Sequence, residues 1–176
     1  MTTEPGIEYH AHLPLAWQDG QPNPQQLADW MRENATVLHA IAVLENPAHE
    51  RELEHTASVD FTAARLEAKM DMLLQWVGRL LLTQNPMPPS TDIILGSQSI
   101  AWKCPIALQA EQLGVLTLYL APSLPMPLQL PVQIIACGSG QARAKLLHLS
   151  PEAQDALDRS LFRHHRRALQ ARSGRV

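Results

Sequence analysis

The chain has little cysteine and no long hydrophobic run, and each scarcity excludes a class of protein. Its 176 residues include only Cys104 and Cys137, which belong to no paired motif, so neither a disulfide framework nor a thiolate metal site is predicted. No apolar stretch approaches the ~20 residues that a bilayer span requires. Residues 1–20 have neither the basic start nor the apolar core of a signal peptide. We therefore expect a cytoplasmic protein.

Positive charge is missing from two regions, residues 1–31 and 80–102, which contain no Lys or Arg. The net charge is only −3, but residues 1–60 carry ten acids against two Arg, whereas residues 159–176 carry six Arg and no acid. The acidic region and the basic region can attract each other, or each can attract a different partner. The basic end is interpreted first as a solvated helix end that the helix dipole favours. A contact with nucleic acid or an anionic ligand is the alternative.

Patterns that carry catalysis or metal binding are also missing. No Ser/His/Asp or Cys/His arrangement is supported by the chain, so we do not predict an enzyme. His10 and His12 share one face of a predicted strand but lack a third ligand, which indicates a surface pair and not a metal site. Residues 138–140, Gly-Ser-Gly, are followed by neither the helix nor the Lys of a phosphate loop, and are predicted to form a turn.

The most informative feature that is present is a coiled-coil seam. Small or apolar side chains recur at the alternating spacing of four and three residues that indicates a helix packed against other helices. They are Val59, Ala63, Leu66, Met70, Leu73, Val77 and Leu80. Three apolar side chains flank them, Leu74, Trp76 and Leu81, and we call all ten residues the seam. Because a two-stranded coil would leave the flanking side chains exposed, we predict a homo-oligomer and favour a tetramer over a dimer. The alternative is that the strands and first helix of the same chain cover this face.

The remaining pattern predicts an α+β fold in one domain over residues 1–176. An edge-type strand over 7–17 precedes a first long helix over 24–45, and residues 24–85 together form a helical insertion that carries the seam. Short apolar runs bounded by Gly, Pro or Ser indicate the strands of a small barrel or sandwich within 90–149. These runs are 92–95, 99–104, 115–120, 130–136 and 144–149. Ser150 as N-cap and Pro151 as first helical residue predict a C-terminal helix over 151–171.

Hydroxyl and guanidinium groups mark the candidate ligand-binding residues. Ser97 and Ser99 lie in a hairpin-like turn that offers hydroxyls to an anion, with a plain turn as the alternative. Arg163, Arg166 and Arg167 form a cationic cluster on the C-terminal helix, which we call the Arg cluster. We predict that the Arg cluster, with or without the two serines, is a candidate anion site.

Three segments together resemble a known family. They are Leu13-Pro-Leu-Ala-Trp17, the seam stretch 66–81, and the stretch 146–167, which ends in Phe162-Arg-His-His-Arg-Arg167. In these segments the chain resembles the atypical PilZ domains, a branch of the small β-barrel receptors of cyclic di-GMP signalling. The resemblance implies a small antiparallel β-barrel that two long helices interrupt, with a C-terminal helix. It also implies that the long helices drive the formation of a tetramer through coiled-coil packing.

The resemblance implies where cyclic di-GMP would bind, and the chain departs from the family there. Strong binders use an Arg-x-x-x-Arg pair before the barrel and an Asp/Asn-x-Ser-x-x-Gly turn, because guanidinium forks match phosphates and guanine edges. No Arg pair precedes the barrel here, and the turn over 94–99 lacks the acid or amide and the final Gly. We therefore expect an oligomeric adaptor in cyclic di-GMP signalling, without a cofactor, that binds the nucleotide weakly or acts through a partner protein.

Two alternatives remain. The first is a direct cyclic di-GMP receptor that uses the Arg cluster. The second, ranked last, is a nucleic-acid contact by the basic tail, which has almost no aromatic residues interleaved for base stacking.

Overall fold

A computed structural model describes residues 7–45, 86–121, 124 and 126–173, with single positions at 66, 69–70, 72–73, 76–78, 80 and 83. In these residues, strands and helices follow in the order β1 (Tyr9–Asp19), α1 (Pro24–Glu45), β2 (Ser90–Leu95), β3 (Ser99–Lys103), β4 (Leu113–Leu118), β5 (Leu128–Gly138), β6 (Gln141–Leu146) and α2 (Pro151–Ser173). The single positions between 66 and 83 are helical.

The strands form a closed antiparallel barrel in the order β1-β2-β3-β6-β5-β4, and β4 returns to β1. β1 pairs with β2 up to Pro14 and with β4 from Leu15 onward. The prediction of an edge-type strand is therefore wrong, because β1 is paired on both sides. Pro14 is tolerated since it lies where one ladder gives way to the other, and its carbonyl accepts a hydrogen bond from the Tyr119 N–H at 3.1 Å.

The predicted barrel strands of the second half are present, with ends that differ from the prediction by a few residues. The largest difference concerns the last strand, which was expected over 144–149 and instead covers Gln141–Leu146. The turn before it is tight, because Ser139 and Gly140 have φ angles of 54° and 77° and send the chain straight back into β6. Alternate side chains of these strands fill the barrel, whose centre includes Leu95, Ile100, Leu116 and Ile134.

Helix α1 matches its predicted bounds and begins at a reciprocal cap. The Gln26 N–H donates to Oδ1 of Asn23 at 2.8 Å, and Oε1 of Gln26 accepts from the Asn23 N–H at 3.1 Å. Pro24 occupies the first helical position, where no N–H is needed. The helix packs on β5 and α2.

Asn34 fastens α1 to the start of β5. It is only 2% exposed, and its Nδ2 donates to the Gln129 carbonyl at 2.8 Å while its Oδ1 accepts from the Gln129 N–H at 2.9 Å. In the sequence Asn34 interrupts an otherwise heptad-like helix. In the structure its amide satisfies the backbone N–H and carbonyl of a residue near the strand end.

Helix α2 begins as predicted, because Oγ of Ser150 accepts the N–H of Ala153 at 3.1 Å. It buries Leu157 and Leu161 against the barrel and α1, but Phe162 is exposed. Further along, the ring of His164 stacks on Tyr9 of β1 with centroids 4.1 Å apart. α2 is therefore held to the rest of the fold over much of its length.

The ring of Trp17 packs directly against Gly114 in β4, where a side chain would clash with it. This close approach leads to a first testable prediction. A Cβ at Gly114 would lie 2.2 Å from Cη2 of Trp17 and 2.6 Å from the Gln18 carbonyl oxygen. Since the carbonyl belongs to a paired strand and cannot move away, Gly114→Ala is expected to lower the free energy of unfolding by about 1–3 kcal/mol. Urea denaturation measures this change.

Gly138→Ala is the matched control for that substitution. A Cβ at Gly138, at the end of β5, would meet no atom within 4 Å. The control should unfold at the same urea concentration as the native chain, and equal stability of the two variants would contradict the clash.

Candidate functional site

The hairpin between β2 and β3 carries the predicted residues Ser97 and Ser99. The N–H of Gly96 donates to the Ser99 carbonyl at 2.8 Å and closes the turn. Nε2 of Gln154, in the first turns of α2, donates to both the carbonyl and Oγ of Ser97, at 2.9 and 3.0 Å. The Ser97 hydroxyl therefore joins the hairpin to α2.

The Arg cluster lies well beyond that contact along α2. A rise of ~1.5 Å per residue puts Arg163 about 13 Å past Gln154 along the helix axis, and Arg167 further still. Arg166 and Arg167 are exposed, whereas Arg163 is half-buried. Within one chain the structure therefore does not bring the Arg cluster and the two serines together, and an anion site at the Arg cluster stays a prediction.

A groove of about 460 Å³ runs between α1 and α2 beside Arg163. It is lined by Ala35, His39, Ala42 and Val43 of α1 and by Glu152, Asp155, Ala156, Arg159 and Arg163 of α2. Arg159 forms an ion pair with Asp155. Because the two acids on this lining offset the two Arg, the groove offers an anion no net positive charge.

Asp92 is a candidate residue that the sequence analysis missed. It lies in β2 opposite His12 of β1, and its Oδ1 is 2.8 Å from Nδ1 of His12. Taken from Asp92, the family's turn runs Asp92-Ile-Ile-Leu-Gly-Ser97, with Ile94 in place of Ser and Ser97 in place of the final Gly. Placed two residues before 94–99, the turn therefore has its acid but neither its hydroxyl nor its final Gly.

The His10 and His12 side chains lie exposed on β1, each beside a carboxylate. Nε2 of His10 is 3.6 Å from the Glu8 carboxylate, and His12 contacts Asp92. In the described part of the chain, no three His, Cys, Asp or Glu side chains are grouped closely enough to hold a metal ion. The helices that the structure describes also include none long and apolar enough to cross a membrane.

The seam residues that the structure describes are helical and uncovered. Their side chains are between 52% and 62% exposed, at Leu66, Met70, Leu73, Trp76, Val77 and Leu80. Val59, Ala63, Leu74 and Leu81 lie outside the described residues. At these six positions the chain therefore does not cover its own seam, in contrast to the alternative considered from the sequence. They form an apolar surface that a single chain leaves in water.

Comparison with known proteins places this geometry in a family. The sequence model described as "Atypical PilZ domain, cyclic di-GMP receptor" matches residues 38–174. A solved structure of a pathogenic protein from Xanthomonas campestris, reported as a new tetrameric PilZ domain self-assembled via an unusual helical bundle, superposes with a TM-score of 0.79. The two sequences are 24% identical, and the match covers 96% of this chain and 93% of that one. No curated protein matches the chain.

These matches confirm the predicted α+β fold with a small PilZ-like barrel. Because the matched region spans most of the sequence and includes five of the six described strands, the chain belongs to the atypical PilZ domain family of cyclic di-GMP receptors.

Proposed function

We propose that the chain is an oligomeric regulator in cyclic di-GMP signalling, which assembles through its seam and binds the nucleotide weakly or acts through a partner protein. The proposal rests on the exposed seam of a chain that also contains a PilZ barrel. This combination supports a role in which assembly arranges several barrels. We propose that the protein acts in the cytoplasm and is not an enzyme.

The energy of assembly comes from the apolar side chains of the seam. Each one that is fully buried gains roughly 1.5–3 kcal/mol relative to its exposed state. Because the six described seam side chains are 52–62% exposed, their burial would supply roughly half of that gain each, a large contribution against the entropy that is lost when several chains associate. The Xanthomonas campestris protein is reported to form a tetramer through a helical bundle, and we propose the same number of copies here.

Weak nucleotide binding follows from the residues around the β2–β3 hairpin. The acid of the family's turn is present as Asp92, but Ile94 replaces a hydroxyl with a branched alkyl group. Ser97, in place of Gly, carries a side chain that Gln154 already contacts. Since residues 1–31 also contain no Arg, the guanidinium forks that hold the nucleotide in strong binders are missing before the barrel.

Calorimetry with cyclic di-GMP tests this proposal on protein whose mass is measured by light scattering in the same buffer. We expect a stable oligomer and a Kd no tighter than about 100 µM, since each missing charge-assisted contact weakens binding roughly tenfold or more. A Kd clearly tighter than about 100 µM would overturn the weak-binding part. A single chain at high protein concentration would overturn the assembly part.

A further inference from the structure

Strand β6 carries its charged side chains on one face of the barrel. Burial alternates along Gln141–Leu146, so Ala142, Ala144 and Leu146 fill the interior while the other three side chains are exposed. The outward residues are Gln141, Arg143 and Lys145. Lys103, at the end of β3, pairs with Gln141. We call Lys103, Arg143 and Lys145 the cationic face.

The strand neighbours of the outward β6 residues contain no acid. Arg143 lies between Ala101 of β3 and Ala136 of β5, and Lys145 lies between Ser99 and Gln133. Opposite charges commonly face one another across strands, since such pairs stabilise a sheet. Here that compensation is missing, although the chain as a whole is acidic with a net charge of −3.

Two acids on neighbouring parts of the barrel, Asp92 and Glu111, already have partners. Asp92 contacts His12, and Glu111 accepts a hydrogen bond from Gln133 at 2.6 Å. Among the described residues, no carboxylate forms an ion pair with Lys103, Arg143 or Lys145. Arg143 and Lys145 are two residues apart on one strand, about 7 Å, so their charges repel until an anion lies between them.

The surface beside Arg143 is shaped to admit a ligand. Arg143 is exposed between two alanines, and a depression of about 400 Å³ lies beside its strand neighbours Ala101 and Gln141. Ala101 and Gln141 line the near side of this depression, and Asp92 and His10 line the far side. Since neighbouring strands are ~4.8 Å apart, β2 is about 10 Å from β6, which is room for a base or sugar beside the cations.

We propose that the cationic face binds the phosphate groups of a nucleotide, with Arg143 as the bidentate contact and Lys145 as the second charge. The depression between Asp92 and Gln141 takes the uncharged part of the ligand. The inference rests on the proposed function for its ligand class. In this arrangement Arg143 and Lys145 of β6 supply the positive charge that is missing from residues 1–31.

The double variant Arg143→Gln/Lys145→Gln tests the inference in the full chain. Ala methyl groups labelled with ¹³C report ligand contact directly, because Ala101 and Ala136 flank Arg143. Titration with cyclic di-GMP should shift these two methyl signals in the native chain. In the variant the affinity should fall about 10- to 100-fold, since two charge-assisted contacts are lost. Inorganic pyrophosphate is the second probe and should bind more weakly than the nucleotide.

The matched control removes the same charge elsewhere, as Arg32→Gln/Arg159→Gln, because these exposed side chains on α1 and α2 each pair with an acid on their own helix. It should keep the native affinity, and thermal unfolding should show both variants folded. The inference fails if the native chain binds neither probe at millimolar concentration, if pyrophosphate alone binds, or if the Arg143 variant keeps its affinity. Light scattering on the same samples judges the assembly proposal separately, because none of these four side chains belongs to the seam.

Discussion

Replacement of Leu73 and Val77 by Glu is expected to convert the assembled protein into single chains of 19.6 kDa. Both side chains are more than half exposed in one chain, so the substitution does not disturb its own core. In an assembled bundle the carboxylates would be buried without partners, at a cost of several kcal/mol each. The dissociation constant should therefore rise by ~10⁴-fold or more. Light scattering coupled to gel filtration measures the mass.

Met72→Glu is the control for this prediction. Met72 is 50% exposed, and its place in the heptad is outside both the apolar stripe and its flanks. The same change from an apolar side chain to a carboxylate should leave the native mass unaltered. If Leu73→Glu/Val77→Glu keeps the native mass, the seam is not the interface.

Asn34→Leu is expected to cause the second large effect, a fall of about 2–4 kcal/mol in the free energy of unfolding. The leucine would leave the part-buried N–H and carbonyl of Gln129 without their partners, which lie at 2.9 and 2.8 Å respectively in the native chain. Asn34→Asp should also destabilise, because a carboxylate cannot donate to the Gln129 carbonyl. Denaturant unfolding followed by circular dichroism measures both changes.

Gln25→Leu provides the comparison on the same helix. Gln25 is exposed and, among the described residues, its amide hydrogen-bonds to Asp29, so this substitution should change the free energy of unfolding by less than about 0.5 kcal/mol. If Asn34→Leu were no more destabilising than Gln25→Leu, the amide would not hold α1 on β5.

The sequence predicted the parts of the fold that depend on neighbouring residues. The capped start of α2 and the alternating strands of the second half are local patterns, and the structure contains them. β1 was misassigned to an edge because Pro14 signals an edge when it is considered alone. Only the pairing with both β2 and β4 shows that its missing N–H falls where one ladder ends.

The candidate site was harder to predict, because strand register decides which side chains meet. Lys103 and Arg143 are 40 positions apart in the sequence, and nothing local indicates that their strands pair. Arg163 and Arg167 attracted attention because they are close in sequence, yet the helix carries them away from the hairpin serines. Asp92 was missed for a simpler reason, since a short motif can be placed on the sequence in several registers.

Closure of the barrel has a consequence for how the chain folds. β1 is made first, but residues 20–89 separate it from β2, and β4 lies still further along the chain. The hairpins β2–β3 and β5–β6 need only short turns and can form early, whereas β1 needs two distant partners. We therefore expect β1 to dock after these hairpins, and its two ladders are complete only when the chain has been extended through β4. The long connection over residues 20–89 is thus expected to slow the closure of the barrel.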